Sequence, residues 1–166
     1  MNIKLLSALA AAAMLTACAS EDTSGAATGA GAAGGLGAGS GGLAGSVRPG
    51  SQEDLVANVG DRVFFALDSS SVGGDQRPVL ERQAAWLAQY PQVTVAMEGH
   101  ADERGTREYN LALGQRRANA ARDILVSQGV SGSRISTISY GKDRPAALGS
   151  NEEAWAQNRR AVTVVR

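Results

Sequence analysis

A two-layer α/β sandwich is the architecture predicted for residues 52 to 166, on three observations. Strand-like and helix-like patterns alternate along this stretch, its length suits a single hydrophobic core, and helix start and stop signals fall between the strand patterns. Helices that alternate with strands pack back onto a sheet as crossovers, which gives two layers.

The elements follow in order. Val63, Phe65 and Leu67 alternate with Phe64 and Ala66, the period of a first strand. Pro78 suits the first turn of a helix running through Leu80, Ala84 and Leu87, and Tyr90-Pro91 stops it. Val93, Val95 and Met97 make a second strand. A long helix is predicted from about Thr106 to Gln128, with Gly129 as its left-handed stop and Val130 closing a Schellman contact. A third strand lies near Ile135 to Tyr140. Ser150 and Glu153 read as a capping box for a short helix ending near Asn158, and Ala161 to Val165 is a β-branched last strand.

One position on the long helix breaks the pattern. Leu113, Ala120, Ala121 and Ile124 recur at helical spacing, and Arg117 falls four residues after Leu113 on that apolar stripe. A cation facing a core needs a counter-charge; Asp102 and Glu103 in the preceding loop are candidates, and a group elsewhere in the fold or on a ligand could also serve. Two readings stand side by side. In one, Arg117 is the cation of a structural salt bridge. In the other, Asp102 and Arg117 are a split pair, a carboxylate waiting for a ligand ammonium and a guanidinium for a ligand carboxylate, as an amino-acid zwitterion requires.

The N-terminal residues suggest a compartment. Lys4 precedes an apolar run, Leu5 to Leu15, too short to span a bilayer, and Leu15-Thr16-Ala17-Cys18 ends it with small residues before the lone cysteine. Residues 1–17 thus resemble a bacterial lipoprotein signal peptide, which implies acyl chains on Cys18 and a stable hold on a membrane. No intrachain disulfide is available to a single cysteine. Ala19 stands where an aspartate would favour the inner membrane in enteric bacteria, so the outer membrane is expected. Residues 18–51 are almost wholly Gly, Ala, Ser and Thr and read as a tether. A chain of roughly thirty such residues has an r.m.s. span near ~30 Å.

Composition and inventory exclude other classes. With 16 basic against 16 acidic residues, there is no electrostatic case for nucleic acid. His100 is the one histidine, so neither a zinc cluster nor a hydrolytic triad is expected. No catalysis, metal or cofactor is expected, and His100 reads as a strand-end residue.

Glu98 through Thr106 (EGHADERGT), Glu108-Tyr109-Asn110, Leu113-Gly114-Gln115-Arg116-Arg117-Ala118, Ser139-Tyr140-Gly141-Lys142 and Asn158-Arg159-Arg160-Ala161-Val162 together carry a resemblance. In this order they closely resemble the OmpA C-terminal-like domain family, and within it the lipid-anchored members that bind the cell wall. The resemblance covers the whole segment after the tether. It implies a mixed four-stranded sheet with helices packed on one face, and non-covalent binding of the peptidoglycan stem peptide at meso-diaminopimelate. By motif position, Asp102 would accept from the ligand ammonium and Arg117 would hold its carboxylate. Asp68 would help line the pocket, Arg104 and Asn110 would add loop and helix-start contacts, Leu113 an apolar wall, and Arg159 a second cationic flank. Asn110 also reads as a brace for the helix start, Leu113 as core, and Arg159 or Arg160 as an ion-pair partner. Ala66, Ala101 and Arg107 depart from the acid, threonine and proline of many relatives, and loss of that proline predicts a less rigid loop. The resemblance further implies a protein partner, a TolB-like periplasmic β-propeller of the Tol system, on an overlapping surface.

Overall fold

The computed structural model describes residues 47–166; Cys18, the signal-like segment and the tether up to residue 46 lie outside the described residues. The elements are α1 (Gln52–Asp54) running into a π-helical turn (Leu55–Val59), β1 (Arg62–Phe64), α2 (Arg77–Gln89), β2 (Val95–His100), α3 (Arg107–Ser127), a 3-10 turn (Gly132–Arg134), β3 (Ile135–Gly141), α4 (Glu152–Asn158) and β4 (Arg160–Val165). The strands pair in the order β1-β4-β2-β3. β4 lies antiparallel to both β1 and β2. β2 and β3 run parallel, which obliges a crossover between them, and α3 provides it. This is the expected mixed four-stranded sheet.

Alternation places Val63, Val95, Met97 and Ala161 on one face of the sheet, where Leu80, Ala84 and Leu87 of α2 and Ala118, Ala121 and Leu125 of α3 pack against them. The helix signals hold where they are local. Pro78 sits in the first turn of α2. Thr106 caps α3 by accepting from the Tyr109 N–H, and Gly129 at φ 94° ends it. Val130 N–H then donates to Leu125 O and Gly129 N–H to Val126 O, the paired bonds of a Schellman motif.

Three expectations need correction. β1 stops at Phe64 rather than continuing through Leu67. The Phe65 N–H donates to Arg159 O at 2.9 Å, and a turn closed by Ser69 N–H on Ala66 O turns the chain away, leaving Leu67 59% exposed. The cap of α4 is Asn151 rather than Ser150, because the Asn151 side chain accepts from the Ala154 N–H at 2.8 Å. α1 and its π-helical turn have no counterpart among the predicted elements. They are fixed by buried Asp54, whose carboxylate accepts from Gly50 N–H, Asn58 Nδ2 and Trp86 Nε1.

His100 closes β2, 2% exposed, with no hydrogen-bond partner for Nδ1 among the described residues. Burial, with the charge of Arg160 adding to it, pushes its imidazole down from 6.5 to about 4. Between those values the unfolded chain binds a proton that the folded one does not, so stability rises with pH there and falls on acidification. Urea unfolding from pH 6.5 to 5, above most carboxylate titration, is expected to show a loss of at most about 2 kcal/mol that His100→Asn removes. An equal slope in the variant assigns the loss to other groups.

Candidate ligand pocket at the start of the long helix

The chain leaves β2 with the Ala101 N–H donating to Gly141 O at 2.8 Å, then makes the loop Asp102 to Gly105 before Thr106 opens α3. Gly105 takes φ 88°, a backbone state that side chains rarely allow. Lys142 Nζ donates to Glu103 O (3.1 Å) and Gly105 O (2.7 Å), and Asn110 Nδ2 to Arg104 O (2.8 Å), so three carbonyls of the loop are held from outside. Arg107 ties the helix start to the loop after β3 through Asp143 at 2.7 Å.

A pocket of about 230 Å³ opens here, lined by the predicted residues Asp68, Asp102, Arg104, Asn110, Leu113 and Arg117 together with Leu67, Gly105 and Tyr109. Arg159 is outside the lining but directly behind it, with Nη1 3.6 Å from Asp102 Oδ2. Tyr109 was not assigned a role by motif position, although it sits one helical turn before Leu113 and flanks the same stripe. Its hydroxyl donates to Asp68. That carboxylate, with burial and its charge adding to the hydrogen bond, holds the phenol above its ordinary pKa. Asp68 itself stands at φ 51°, a left-handed conformation that aspartate tolerates better than most residues.

Arg117 has partners that neither reading of the sequence named. The side chain is fully buried on the inner stripe of α3, as periodicity requires. Among the described residues no carboxylate lies within salt-bridge distance of it, which overturns the ion-pair reading. It is not unsatisfied either: Nε donates to Ser69 O at 2.8 Å, Nη1 to His100 O at 2.9 Å and Nη2 to Ala66 O at 3.2 Å. A guanidinium has five N–H groups, so two are uncommitted by these bonds. Burial pushes its pKa down to about 10, against the pull of Asp102, and it is charged at neutral pH.

Asp102, 6% exposed, is also occupied. Its Oδ1 accepts from Arg104 N–H (3.1 Å) and Nε (3.2 Å), and Oδ2 from Arg104 Nη2 at 2.6 Å. Burial raises the Asp102 pKa, but these bonds and the charges of Arg104 and Arg159 outweigh it and hold the carboxyl below its ordinary range. Arg159 donates Nε to Phe65 O and Nη2 to Glu152 Oε1, while Nη1 has no hydrogen-bond partner among the described residues. Asp102 and Arg117 thus make no contact with each other, and each has an internal partner. Formal charges on Asp68, Asp102, Arg104 and Arg117 cancel, so the lining is neutral and polarised.

Comparison with known proteins places this chain in a family. The OmpA family model matches residues 64–159. The chain is 60% identical over 124 residues to the peptidoglycan-associated lipoprotein of Agrobacterium fabrum, covering 75% of this chain and 70% of that one. With the peptidoglycan-associated lipoprotein of Rhizobium meliloti it shares 61% identity over 122 residues, covering 74% and 69%. The crystal structure of the peptidoglycan-associated lipoprotein from Burkholderia pseudomallei superposes with a TM-score of 0.64 at 42% identity, over 68% of this chain and all (100%) of that one. The C-terminal domain of Helicobacter pylori MotB has the same fold, with a TM-score of 0.59 at 24% identity over 64% and 84% of the two chains. Sequence and fold agree, and the chain belongs to the OmpA family, grouped within it with the peptidoglycan-associated lipoproteins.

Proposed function

We propose that the pocket binds the peptide stem of peptidoglycan through the zwitterionic end of meso-diaminopimelate, and that the chain links the outer membrane to the cell wall. The observation that carries this is a pocket whose buried carboxylate and buried guanidinium lie in one lining without pairing with each other. A guest with an ammonium and a carboxylate on one carbon completes both. Asp102 takes the ammonium, and Arg117 offers its uncommitted N–H groups to the carboxylate. Asp68 and Tyr109 form one wall, Leu113 the apolar floor, Asn110 braces the loop, and Arg159 adds positive potential from behind. The protein binds and does not transform its ligand. Acyl chains on Cys18 hold it in the outer membrane facing the periplasm, residues 18–51 supply reach, and residues 52–166 hold the wall, within the Tol-Pal system that supports the envelope at constriction.

Charge-assisted hydrogen bonds contribute roughly 1.5–3 kcal/mol each, so one site binds modestly and many anchored copies hold by avidity. Asp102→Asn keeps the shape and removes the charge. It is expected to weaken co-sedimentation of the protein with purified peptidoglycan by about tenfold or more. Unchanged co-sedimentation sinks the pocket assignment.

The exposed rim favours a second use. Leu67 is 59% and Tyr109 44% exposed beside the pocket mouth, an apolar border suited to a protein such as a TolB-like propeller. A shared rim makes the two ligands compete, so purified peptidoglycan should release bound propeller in a pull-down.

A further inference from the structure

We infer that Arg104 is a built-in competitor for the ligand's cation, a tethered guanidinium that occupies Asp102 until the guest displaces it onto α4. This rests on the reading of Asp102 as the ammonium seat, and it changes the role of Arg104 from ligand contact to occupant.

Geometry separates the side chain of Arg104 from its backbone. The backbone is held, with its carbonyl bonded by Asn110 Nδ2 and the carbonyls on either side by Lys142 Nζ. The side chain, 35% exposed, reaches from this fixed point to both oxygens of Asp102, with Nε on Oδ1 and Nη2 on Oδ2. A two-pronged guanidinium covers a carboxylate as an ammonium would, and the oxygen it bonds at 2.6 Å also faces Arg159 Nη1 at 3.6 Å. A third cation added to this group meets repulsion from both, so a guest ammonium has to replace one. Arg159 is enclosed, 8% exposed at its side chain, and tied to Phe65 O and Glu152. Arg104 is the one free to leave.

Its destination is already in contact. The guanidinium carbon lies 4.0 Å from the centroid of the Trp155 ring, and Nη1 is 4.0 Å from Glu152 Oε2. A rotation about the side-chain bonds keeps the cation over the indole, shortens the approach to Glu152 and clears Asp102. After the swing Asp102 still accepts from the Arg104 N–H. Arg159 Nη1, which has no hydrogen-bond partner among the described residues and lies 3.6 Å from the vacated oxygen, stands ready to move toward it. Apparent affinity is then the intrinsic affinity reduced by the fraction of time Asp102 is vacant.

A direct contact and a competitor predict opposite signs for the same substitution. Titration calorimetry of the full-length chain with a soluble stem tripeptide ending in meso-diaminopimelate is the test. Arg104→Gln is expected to tighten binding by about fivefold to tenfold. The gain is expected to vanish with a tripeptide whose free amino group on the terminal residue is acetylated. In the unsubstituted protein, the Arg104 Nε resonance is expected to shift as the tripeptide saturates the site. Weaker or unchanged binding in Arg104→Gln, or an unmoved Nε resonance, overturns the inference. Asp102→Asn in the same titration separates the two levels. If it weakens binding while Arg104→Gln also does, the pocket stands and the competitor falls; if it has no effect, both fall.

Discussion

Gly99→Ala is expected to cost more than about 4 kcal/mol of stability and to leave much of the domain unfolded at 25 °C. Gly99 lies in β2 on the face that carries Val95 and Met97, opposite Gly114 of α3. A Cβ built on Gly99 would fall inside the carbonyl group of Gly114, and one built on Gly114 would come 2.8 Å from Gly99 O. Overpacking a core usually costs about 1–3 kcal/mol because side chains shift to absorb it. Here the obstacle to a Gly99 side chain is the helix backbone itself, so the whole helix has to withdraw. Ala118, Ala121 and Leu125, all fully buried, would lose their contacts with it. Circular dichroism with urea titration measures this, and a loss under about 1 kcal/mol would mean that α3 floats on the sheet. The same contact matters to binding, because α3 carries Asn110, Leu113 and Arg117 into the pocket.

Features encoded locally were legible in the sequence. Pro78 and the Tyr90-Pro91 stop bracket α2 because proline restricts its own φ and the residue before it. Thr106 and Gly129 bracket α3 because a cap and a left-handed stop are made within a few residues. What failed depended on partners far away. Phe65 has the alternation of a strand residue, yet its N–H is taken by Arg159 O, ninety-odd positions on, after pairing has ended. Ser150 and Asn151 are both competent caps, and sequence has no means of choosing between neighbours.

The pocket divides the same way. That Arg117 faces inward follows from the helical period alone. That it is held by carbonyls does not, because every residue has a carbonyl and none advertises it in its identity. The Arg104 fork on Asp102 is two residues long and was within reach of inspection, but a cation beside a supposed ammonium seat reads equally as helper or rival until distances are known. The bond from Tyr109 to Asp68 spans 41 positions and becomes visible only in the fold.

Arg117→Ala is expected to lower stability by about 3–5 kcal/mol as well as to abolish wall binding. The substitution strips donors from Ser69 O, His100 O and Ala66 O, and an unpaired buried polar group costs about 1–3 kcal/mol. It also empties the space beside Phe65, whose ring centroid lies 5.2 Å from the guanidinium carbon. Water entering through the pocket offsets part of this, which keeps the expected loss below the sum of the pieces. Arg117→Lys should recover less than half, since one ammonium on a flexible stem does not reproduce a planar fork reaching three separated carbonyls. Urea unfolding of both variants checks the order, and a loss under about 1 kcal/mol for alanine would show that the guanidinium is not a structural pin. Two of the three carbonyls belong to the turn after β1, so removing the cation releases the segment that presents Asp68. Lost binding in this variant therefore mixes a missing ligand contact with a displaced wall. Asp102, whose main partner is the partly exposed Arg104, lacks that entanglement, and its charge can be removed with the turn after β1 still pinned.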